Sequence, residues 1–220
     1  MEATVVTTTL RLATVATATT LTIAVPSAWL LSRSAPLTKN IISSLLSLPL
    51  VLPPSVLGFY LLILLGPDGF IGKAGTALGI GSLAFTFEGL VIAMVIYTFP
   101  FVLTPLLAAC ERLGNRPLEV AATLGASPFD RFFSVVLPQL RFAVITGAVA
   151  GFAHAIGAFG IVLMVGGSIP GKTRVMSTAL YEYVETFRYT EAHILAAVMM
   201  GCAFCMLVAM NGLGNGLRKQ

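Results

Sequence analysis

Long apolar stretches alternate with short polar ones along the whole chain. Five of the apolar stretches are long enough for a transmembrane helix, which needs about 20 residues to cross the hydrocarbon core of a bilayer. They cover residues 12–32, 42–65, 86–109, 140–165 and 192–213. The polar segments between them are short, apart from residues 110–139. The pattern predicts an all-α polytopic membrane protein with about five transmembrane helices, in a single domain over residues 1–220.

The composition agrees with this pattern. Hydrophobic residues make up 57% of the chain and charged residues 10%, against about 25% charged in an ordinary soluble domain. A cleaved signal peptide begins with a basic region, whereas this chain opens Met1-Glu2 and has only Arg11 before its first apolar stretch. We therefore expect the first 31 residues to be retained, as an amphipathic lead-in and a span whose threonines hydrogen-bond to their own helix carbonyls.

The distribution of Lys and Arg indicates the orientation in the membrane, because cytoplasmic loops collect these residues. With the C-terminus inside, the inner segments contain eight of them: Arg33, Lys39, Arg112, Arg116, Arg131, Arg141, Arg218 and Lys219. The outer segments contain five: Arg11, Lys73, Lys172, Arg174 and Arg188. The split favours an N-terminus outside and a C-terminus in the cytoplasm.

Residues 166–173, GGSIPGKT, match the phosphate-binding pattern G-x-x-x-x-G-K-[ST]. Such a site also needs a preceding strand and a partner carboxylate on another strand, but Asp68 and Asp130 follow Gly-Pro and Ser-Pro-Phe. Five spans leave no room for a nucleotide-binding domain, and the predicted orientation places this segment outside the cell. We therefore interpret it as a loop that follows a transmembrane helix and not as an ATP site.

Other candidate chemistry is sparse. Cys202 and Cys205 form a C-x-x-C pair, but they lie inside the last apolar stretch, where we expect them to pack. Cys110 stands alone. The sequence contains no G-x-S-x-G, no H-E-x-x-H and no cluster with metal-ligand spacing. We therefore expect no catalytic residues, no metal site and no cofactor in this chain.

The longest polar interruption, residues 110–139, contains two helix-start signals. Pro117 and Glu119 suit the first turn of a helix, and Gly125 suits a left-handed stop. Ser127 then suits an N-cap, with Asp130 as the acid of a capping box. The pattern predicts a two-turn helix, a glycine turn and a second helix on the inner membrane face.

The first of these helices carries small apolar side chains at Val120, Ala121, Ala122 and Leu124. Exposed apolar surface on a cytoplasmic loop usually marks an interaction site. Packing against the chain's own membrane domain would account for the same residues. The residues alone leave both interpretations open.

The stretch Glu119-Val-Ala-Ala-Thr-Leu-Gly125, followed thirteen residues after the glycine by Leu137-Pro138, resembles the "EAA" loop of ABC-importer permeases. It departs from the usual Glu-Ala-Ala only at Val120. The resemblance implies a type I ABC importer transmembrane domain in which residues 110–139, the coupling loop, dock a coupling helix into a cytoplasmic ATPase. The coupling residues that it implies are Glu119, Ala121, Ala122, Leu124, Gly125, Asp130 and Pro138.

Two further stretches resemble molybdate permeases in particular. One is Ser47-Leu-Pro-Leu-Val-Leu-Pro-Pro-Ser-Val-Leu-Gly-Phe-Tyr-Leu-Leu62, in the second span. The other is the outer loop Gly-Gly-Ser-Ile-Pro-Gly-Lys-Thr-Arg, residues 166–174, where Glu is common at the position of Lys172. The chain departs from the group in span four, where Ala158 replaces the usual Glu of Gly-Glu-Phe-Gly. The resemblance implies a molybdate permease, with tungstate and sulfate as alternative substrates.

The resemblance also implies the assembly. It predicts a second copy of this chain, two cytoplasmic ABC ATPase subunits, an external oxyanion-binding protein and a bacterial inner membrane, with no nucleic-acid partner. An ion-driven secondary transporter is the alternative of another class, but such carriers usually contain repeated halves. No duplication is visible in this sequence.

Polar or helix-breaking residues inside the spans are candidates for the translocation path. Pro53 and Pro54, with Pro49 before them, remove backbone donors and must kink span two, and freed backbone at membrane depth is tolerated where it lines a watery cavity. We hypothesise that this bend borders the path together with Ser55. His154 in span four is a candidate by its polarity. A purely structural kink and a histidine hydrogen-bonded within the bundle remain the alternatives.

Span four also carries Gly147, Gly151 and Ala155 at intervals of four. A small-x-x-x-small face allows helices to approach closely. We expect this face to pack against another core helix, within the chain or between two copies.

Overall fold

The computed structural model describes residues 3–79 and 81–217, and helices form all of the regular structure in these ranges. In chain order the helices are α1 (Ala3–Ser32), α2 (Pro36–Leu46), α3 (Leu48–Val51), α4 (Pro54–Leu65), α5 (Phe70–Ala77), α6 (Phe87–Leu113), α7 (Arg116–Thr123), α8 (Pro128–Arg131), α9 (Leu137–Gln139), α10 (Arg141–Gly157), α11 (Gly160–Gly166), α12 (Met176–Glu185) and α13 (Tyr189–Leu217), with a π-helical stretch at Phe132–Val136 between α8 and α9.

Four stretches of the described residues are long and apolar enough to cross a membrane: Ala3–Ser32, Pro54–Ala77, Phe87–Leu113 and Tyr189–Met210. The count rises to five if Pro128–Gln139 and Arg141–Gly157, which meet at an angle of 68°, form one bent span. The predicted all-α polytopic class is therefore confirmed.

Two of the predicted spans are broken helices. Residues 42–65 divide among α2, α3 and α4. The break before α4 lies at Pro53 and Pro54, which in succession deprive the helix of two backbone donors. Residues 140–165 divide between α10 and α11, with Ala158 and Phe159 outside both helices. The sequence predicted a kink at the first break and did not predict the second.

Short helices occupy two segments that were predicted only as outer loops. Helix α5 follows α4 after Gly66–Gly69, and α12 fills Met176–Glu185 between the outer loop and α13. The N-terminal half of α1 helps to hold α12, because the hydroxyl of Thr9 accepts a hydrogen bond from the backbone N–H of Met176 at 2.8 Å. Other threonines of α1 donate to carbonyls three or four residues earlier, as predicted.

The core consists of two apolar clusters. The larger one joins α1, α4, α6, α11 and α12 through residues such as Leu65, Met94 and Ile161. The smaller one lies toward the C-terminal ends of α1 and α6 and includes Leu106, Leu118 and further members. The coupling loop is therefore attached to the membrane domain through the smaller cluster.

The small-residue face of α10 packs within the chain. A side chain at Gly151 would come within 2.7 Å of Val102 in α6, and its next neighbours belong to Thr17 in α1. Gly147 lies against the same valine. Among the two interpretations of this face, the structure therefore supports packing inside one subunit.

Candidate functional site

Helix α7 is held from one side and exposed on the other. Leu118 is 6% exposed and belongs to the smaller core cluster. Val120 and Leu124, one turn apart on the opposite side, are 60% and 82% exposed. We call these two residues the apolar ridge. Exposed large apolar side chains on a loop helix mark a surface that another protein can cover.

A Schellman motif ends α7. Gly125 has φ of 83°, its N–H donates to the carbonyl of Ala122, and the N–H of Ala126 donates to the carbonyl of Ala121. This pair of bonds satisfies two carbonyls that the helix end would leave without donors. A left-handed φ favours glycine, so Gly125 fixes the direction in which the chain leaves the ridge.

The second helix of the coupling loop begins with the predicted capping box. The hydroxyl of Ser127 accepts from the N–H of Asp130 at 3.2 Å, and the carboxylate of Asp130 accepts from the N–H of Ser127 at 3.2 Å. The Ser127 hydroxyl also donates to this carboxylate, and these bonds hold the pKa of Asp130 below its usual range. Asp130 is therefore a structural acceptor that stays ionised at neutral pH.

The remaining predicted coupling residues lie on the same surface or behind it. Glu119 and Ala122 are exposed, and Ala121 is half-buried. Pro138 lies in α9 within a helix that continues from α8 through the π-helical stretch. Because Pro138 has no N–H to donate, it disfavours a regular α-helical turn at this place.

The bend of span two lies against the break in span four. Pro53 is extended, with φ of −54° and ψ of 134°, and α4 starts at the next residue. A side chain at Gly160 would lie 3.2 Å from the backbone nitrogen of Ser55 and 3.5 Å from Cβ of Pro54. The starts of α4 and α11 are thus neighbours, and Ser55 is exposed there.

Two further contacts fix this junction. A side chain at Gly58 would come within 2.9 Å of Cβ of Met164 and 3.0 Å of Cα of Ile161, so α4 and α11 approach closely only because position 58 is glycine. The carbonyl of Ala158 accepts from the hydroxyl of Ser177 at 2.6 Å. Ala158 is 4% exposed, so its side chain is enclosed by protein.

His154 is not part of this junction. Its ring stacks on Phe101 at 3.6 Å between centroids and on Tyr97 at 4.8 Å, both in α6. Its Nε2 has no hydrogen-bond partner among the described residues. The alternative of a histidine hydrogen-bonded within the bundle is therefore not what the structure shows, and α6 surrounds the ring with aromatic neighbours instead.

The GGSIPGKT segment follows helix α11 and uses its polar groups internally. The hydroxyl of Thr173, a fully buried residue, accepts from the N–H of Ile169 at 2.9 Å and donates to the carbonyl of Gly166 at 2.5 Å. The backbone N–H groups of Lys172, Thr173 and Arg174 all donate to the carbonyl of Ile169. A phosphate-binding loop needs such groups free to face the phosphate, so this loop lacks that arrangement.

We expect Thr173→Val to destabilise the protein and Lys172→Ala to leave its stability almost unchanged. The first change removes the partner of a part-buried N–H and of a buried carbonyl, and an unsatisfied buried group costs about 1–3 kcal/mol, whereas Lys172 is exposed. Thermal unfolding of the purified chain in detergent measures both effects. Equal midpoints for the two variants, or a larger loss for Lys172→Ala, would contradict this account of the loop.

Comparison of the whole sequence with known proteins identifies a family of similar sequences. Residues 20–219 match the family described as binding-protein-dependent transport system inner membrane component. The chain is 50% identical over 202 residues to the molybdenum transport system permease protein ModB of Azotobacter vinelandii, covering 92% of this chain and 89% of that one. It is 32% identical over 193 residues to the sulfate transport system permease protein CysT of Escherichia coli, covering 88% of this chain and 69% of that one.

A solved structure agrees with the fold. A chain of a bacterial alginate ABC transporter, crystallised with an alginate pentasaccharide-bound periplasmic protein, superposes with a TM-score of 0.75 at 15% sequence identity. The match covers 99% of this chain and 79% of that chain. The likeness concerns the arrangement of helices.

Proposed function

The chain belongs to the family of binding-protein-dependent transport system inner-membrane components, and on this basis we propose that it is the permease subunit of an ABC importer for molybdate. It is a multi-pass inner-membrane protein and a transport component, not a catalyst in its own right. We assign molybdate as the substrate because the similarity to the molybdenum permease exceeds the similarity to the sulfate permease in both identity and coverage.

The assembly that we propose contains two copies of this chain, two cytoplasmic ATPase subunits and an external oxyanion-binding protein. The N-terminus lies outside and the C-terminus in the cytoplasm, since that orientation places most Lys and Arg residues inside. The apolar ridge of α7 then faces the cytoplasm. There it docks into the ATPase, with Glu119 and Ala122 beside it.

The contacts of the chain suggest how docking moves the membrane helices. Leu118 attaches α7 to a cluster that includes Cys110 of α6 and Leu140 at the start of α10. Helix α10 leads to the break at Ala158 and Phe159, where α11 adjoins the start of α4. A displacement of α7 therefore reaches the bend of span two through helices that are packed against one another, and alternating access results from shifting the populations of two such arrangements.

The bend offers groups that suit an oxyanion. A dianion that enters hydrocarbon without polar partners meets a prohibitive desolvation cost. The exposed Ser55 contributes its hydroxyl and its backbone N–H, since Pro54 has no N–H and the N–H groups of Val56 and Leu57 donate to the carbonyl of Pro53. Pro53, Pro54 and Ser55 would border the path, and His154, which lies among aromatic rings, contributes to it only if the helices rearrange.

We expect Ser55→Leu to reduce uptake at least tenfold, because leucine removes the hydroxyl and narrows the path at the helix junction. Radiolabelled molybdate uptake into proteoliposomes measures the effect. Ser44→Leu, at an exposed position in α2, is the matched control and should retain uptake within about twofold. Unchanged uptake by Ser55→Leu would exclude this residue from the path and favour a purely structural kink.

The assignment of molybdate as the substrate is tested with the complete transporter in proteoliposomes, with the binding protein present. Molybdate and tungstate presented by the binding protein should stimulate ATP turnover, and sulfate should stimulate it far less. Stimulation by sulfate alone would assign the chain to sulfate import. Uptake that persists without ATP but collapses with the ion gradient would instead favour a secondary transporter.

A further inference from the structure

A long apolar groove runs between α1 and the helix that begins at α8. Its volume is about 840 Å³. The side chains that line it are almost all apolar and include Leu21, Val25, Trp29, Leu30, Phe129 and Phe132. Phe129 and Leu30 are 71% and 61% exposed, so the groove is open along its length.

The groove continues into a charged cavity at the end of α1. This second cavity, about 340 Å³, shares Trp29 and Pro128 with the groove. Two arginines from different elements line it: Arg33, which follows α1, and Arg131, at the end of α8. The apolar groove therefore adjoins, at one end, a cavity that carries two arginines.

Among the described residues, the two guanidinium groups donate to backbone carbonyls and pair with no carboxylate. Arg33 donates to the carbonyl of Trp29 at 3.2 Å and lies 4.8 Å from the Trp29 ring, and Arg131 donates to the carbonyl of Ser127 at 3.4 Å. Neither forms an ion pair with any carboxylate in the described part of the chain. Glu119 lines the cavity as well, which leaves a net charge of +1 from these three side chains.

The geometry points to an anionic phospholipid as the occupant: we propose that its phosphate lies between Arg33 and Arg131 and that one acyl chain lies in the groove. Leu30 lies nine positions after Leu21, which corresponds to about 14 Å along a helix. In the predicted orientation, the arginines lie at the inner membrane interface and the groove runs from there toward the bilayer centre. Basic pockets on the cytoplasmic side of transmembrane helices are suited to anionic headgroups.

Charge and shape together favour lipid over a protein occupant. A second copy of this chain or an ATPase could cover the apolar groove. The two arginines, however, favour an occupant with an anionic group at that end of the groove and an apolar remainder. A phospholipid provides a phosphate and an apolar chain in that order. Phospholipid is also always present at the inner interface of a bilayer.

The site has a consequence for coupling, and this part rests on the proposed transport function. A lipid phosphate that contacts both arginines would tie the end of α1 to the helix that follows α7. Pocket residues Leu118, Glu119 and Ala122 belong to α7 itself. The lipid would therefore brace the loop that receives the ATPase, and substrate-stimulated ATP turnover should rise with the fraction of anionic lipid.

Native mass spectrometry of the full chain, titrated with phosphatidylglycerol or phosphatidylcholine, tests the binding site without any transport assay. We expect phosphatidylglycerol to bind at least tenfold more tightly than phosphatidylcholine. The double variant Arg33→Gln/Arg131→Gln should lose this preference. The matched double variant Arg112→Gln/Arg141→Gln, with two inner arginines that line neither cavity, should keep it within about twofold.

Competition with glycerol 3-phosphate separates a lipid site from a site for free phosphate, because this molecule carries the phosphate without acyl chains. We expect it not to displace the lipid. Equal binding of the two phospholipids by the unaltered chain, or displacement by glycerol 3-phosphate, would overturn the proposal even if the variants failed to fold. Loss of the preference in both double variants would also overturn it, whereas none of these results bears on whether the chain imports molybdate.

Discussion

Leu124→Asp should abolish the attachment of the cytoplasmic ATPase to this chain. Leu124 is 82% exposed on the apolar ridge, and a docked ATPase would bury it. An aspartate there must lose its hydration in an apolar interface, and the loss of a central interface contact typically costs 2 kcal/mol or more. We expect affinity for the ATPase to fall at least about 30-fold, measured by copurification and by surface plasmon resonance.

Phe187→Asp is the matched control for this change. Phe187 is 78% exposed and lies between α12 and α13, on the predicted outer face, so the same loss of an apolar side chain occurs where the ATPase cannot reach. The control should copurify normally. If Leu124→Asp also copurified normally, α7 would pack only on its own membrane domain, which is the alternative that the residues alone leave open.

Gly58→Val should abolish transport while leaving the ATPase attached. Its Cβ would come within 3.0 Å of Cα of Ile161, a backbone atom that cannot rotate away. Overpacking of this kind typically costs about 1–3 kcal/mol. Here it pushes α4 away from α11 at a position close to the bend of span two. We expect molybdate uptake and its stimulation of ATP turnover to fall at least tenfold, measured in proteoliposomes.

Gly201→Val is the matched control, because nothing lies within 4 Å of a side chain at that position in α13. It should retain uptake within about twofold. A normal uptake rate in Gly58→Val would mean that the close approach of α4 and α11 is not needed for transport. Loss of the ATPase together with uptake would mean that the variant is misfolded and that the junction must be tested through Gly160→Val.

The coupling loop could be predicted from sequence because its signals act over a few residues. A proline at the start of α7, a glycine with left-handed φ and the capping box between Ser127 and Asp130 each determine the local backbone. The exposure of Val120 and Leu124 follows from the same helix once Leu118 is anchored. What these residues bind could only be suggested by resemblance.

The junction in the membrane could be predicted only in part. Consecutive prolines indicated the bend at Pro53, but nothing in the sequence indicates that α11 starts beside it. That contact depends on Gly58 and Gly160, which are about one hundred residues apart in sequence. Local sequence patterns relate residues that are close along the chain, so they do not show contacts between residues this far apart.

Contacts between distant residues also explain the other differences between the sequence predictions and the structure. The polarity of His154 makes it a candidate for the path, but its ring neighbours are Phe101 and Tyr97 of α6, which are distant in sequence. Helix α12 has only ten residues, too few for a span, so the hydrophobic pattern indicates no membrane helix there. Its attachment to Thr9 is again a contact between distant segments.

A photo-crosslinking amino acid in place of Leu124 tests the central claim most directly. In membranes that contain the whole transporter, we predict an adduct between this chain and the ATPase subunit, whereas the same group in place of Phe187 should form none. Absence of the ATPase adduct at position 124, under conditions where uptake is measurable, would contradict the account.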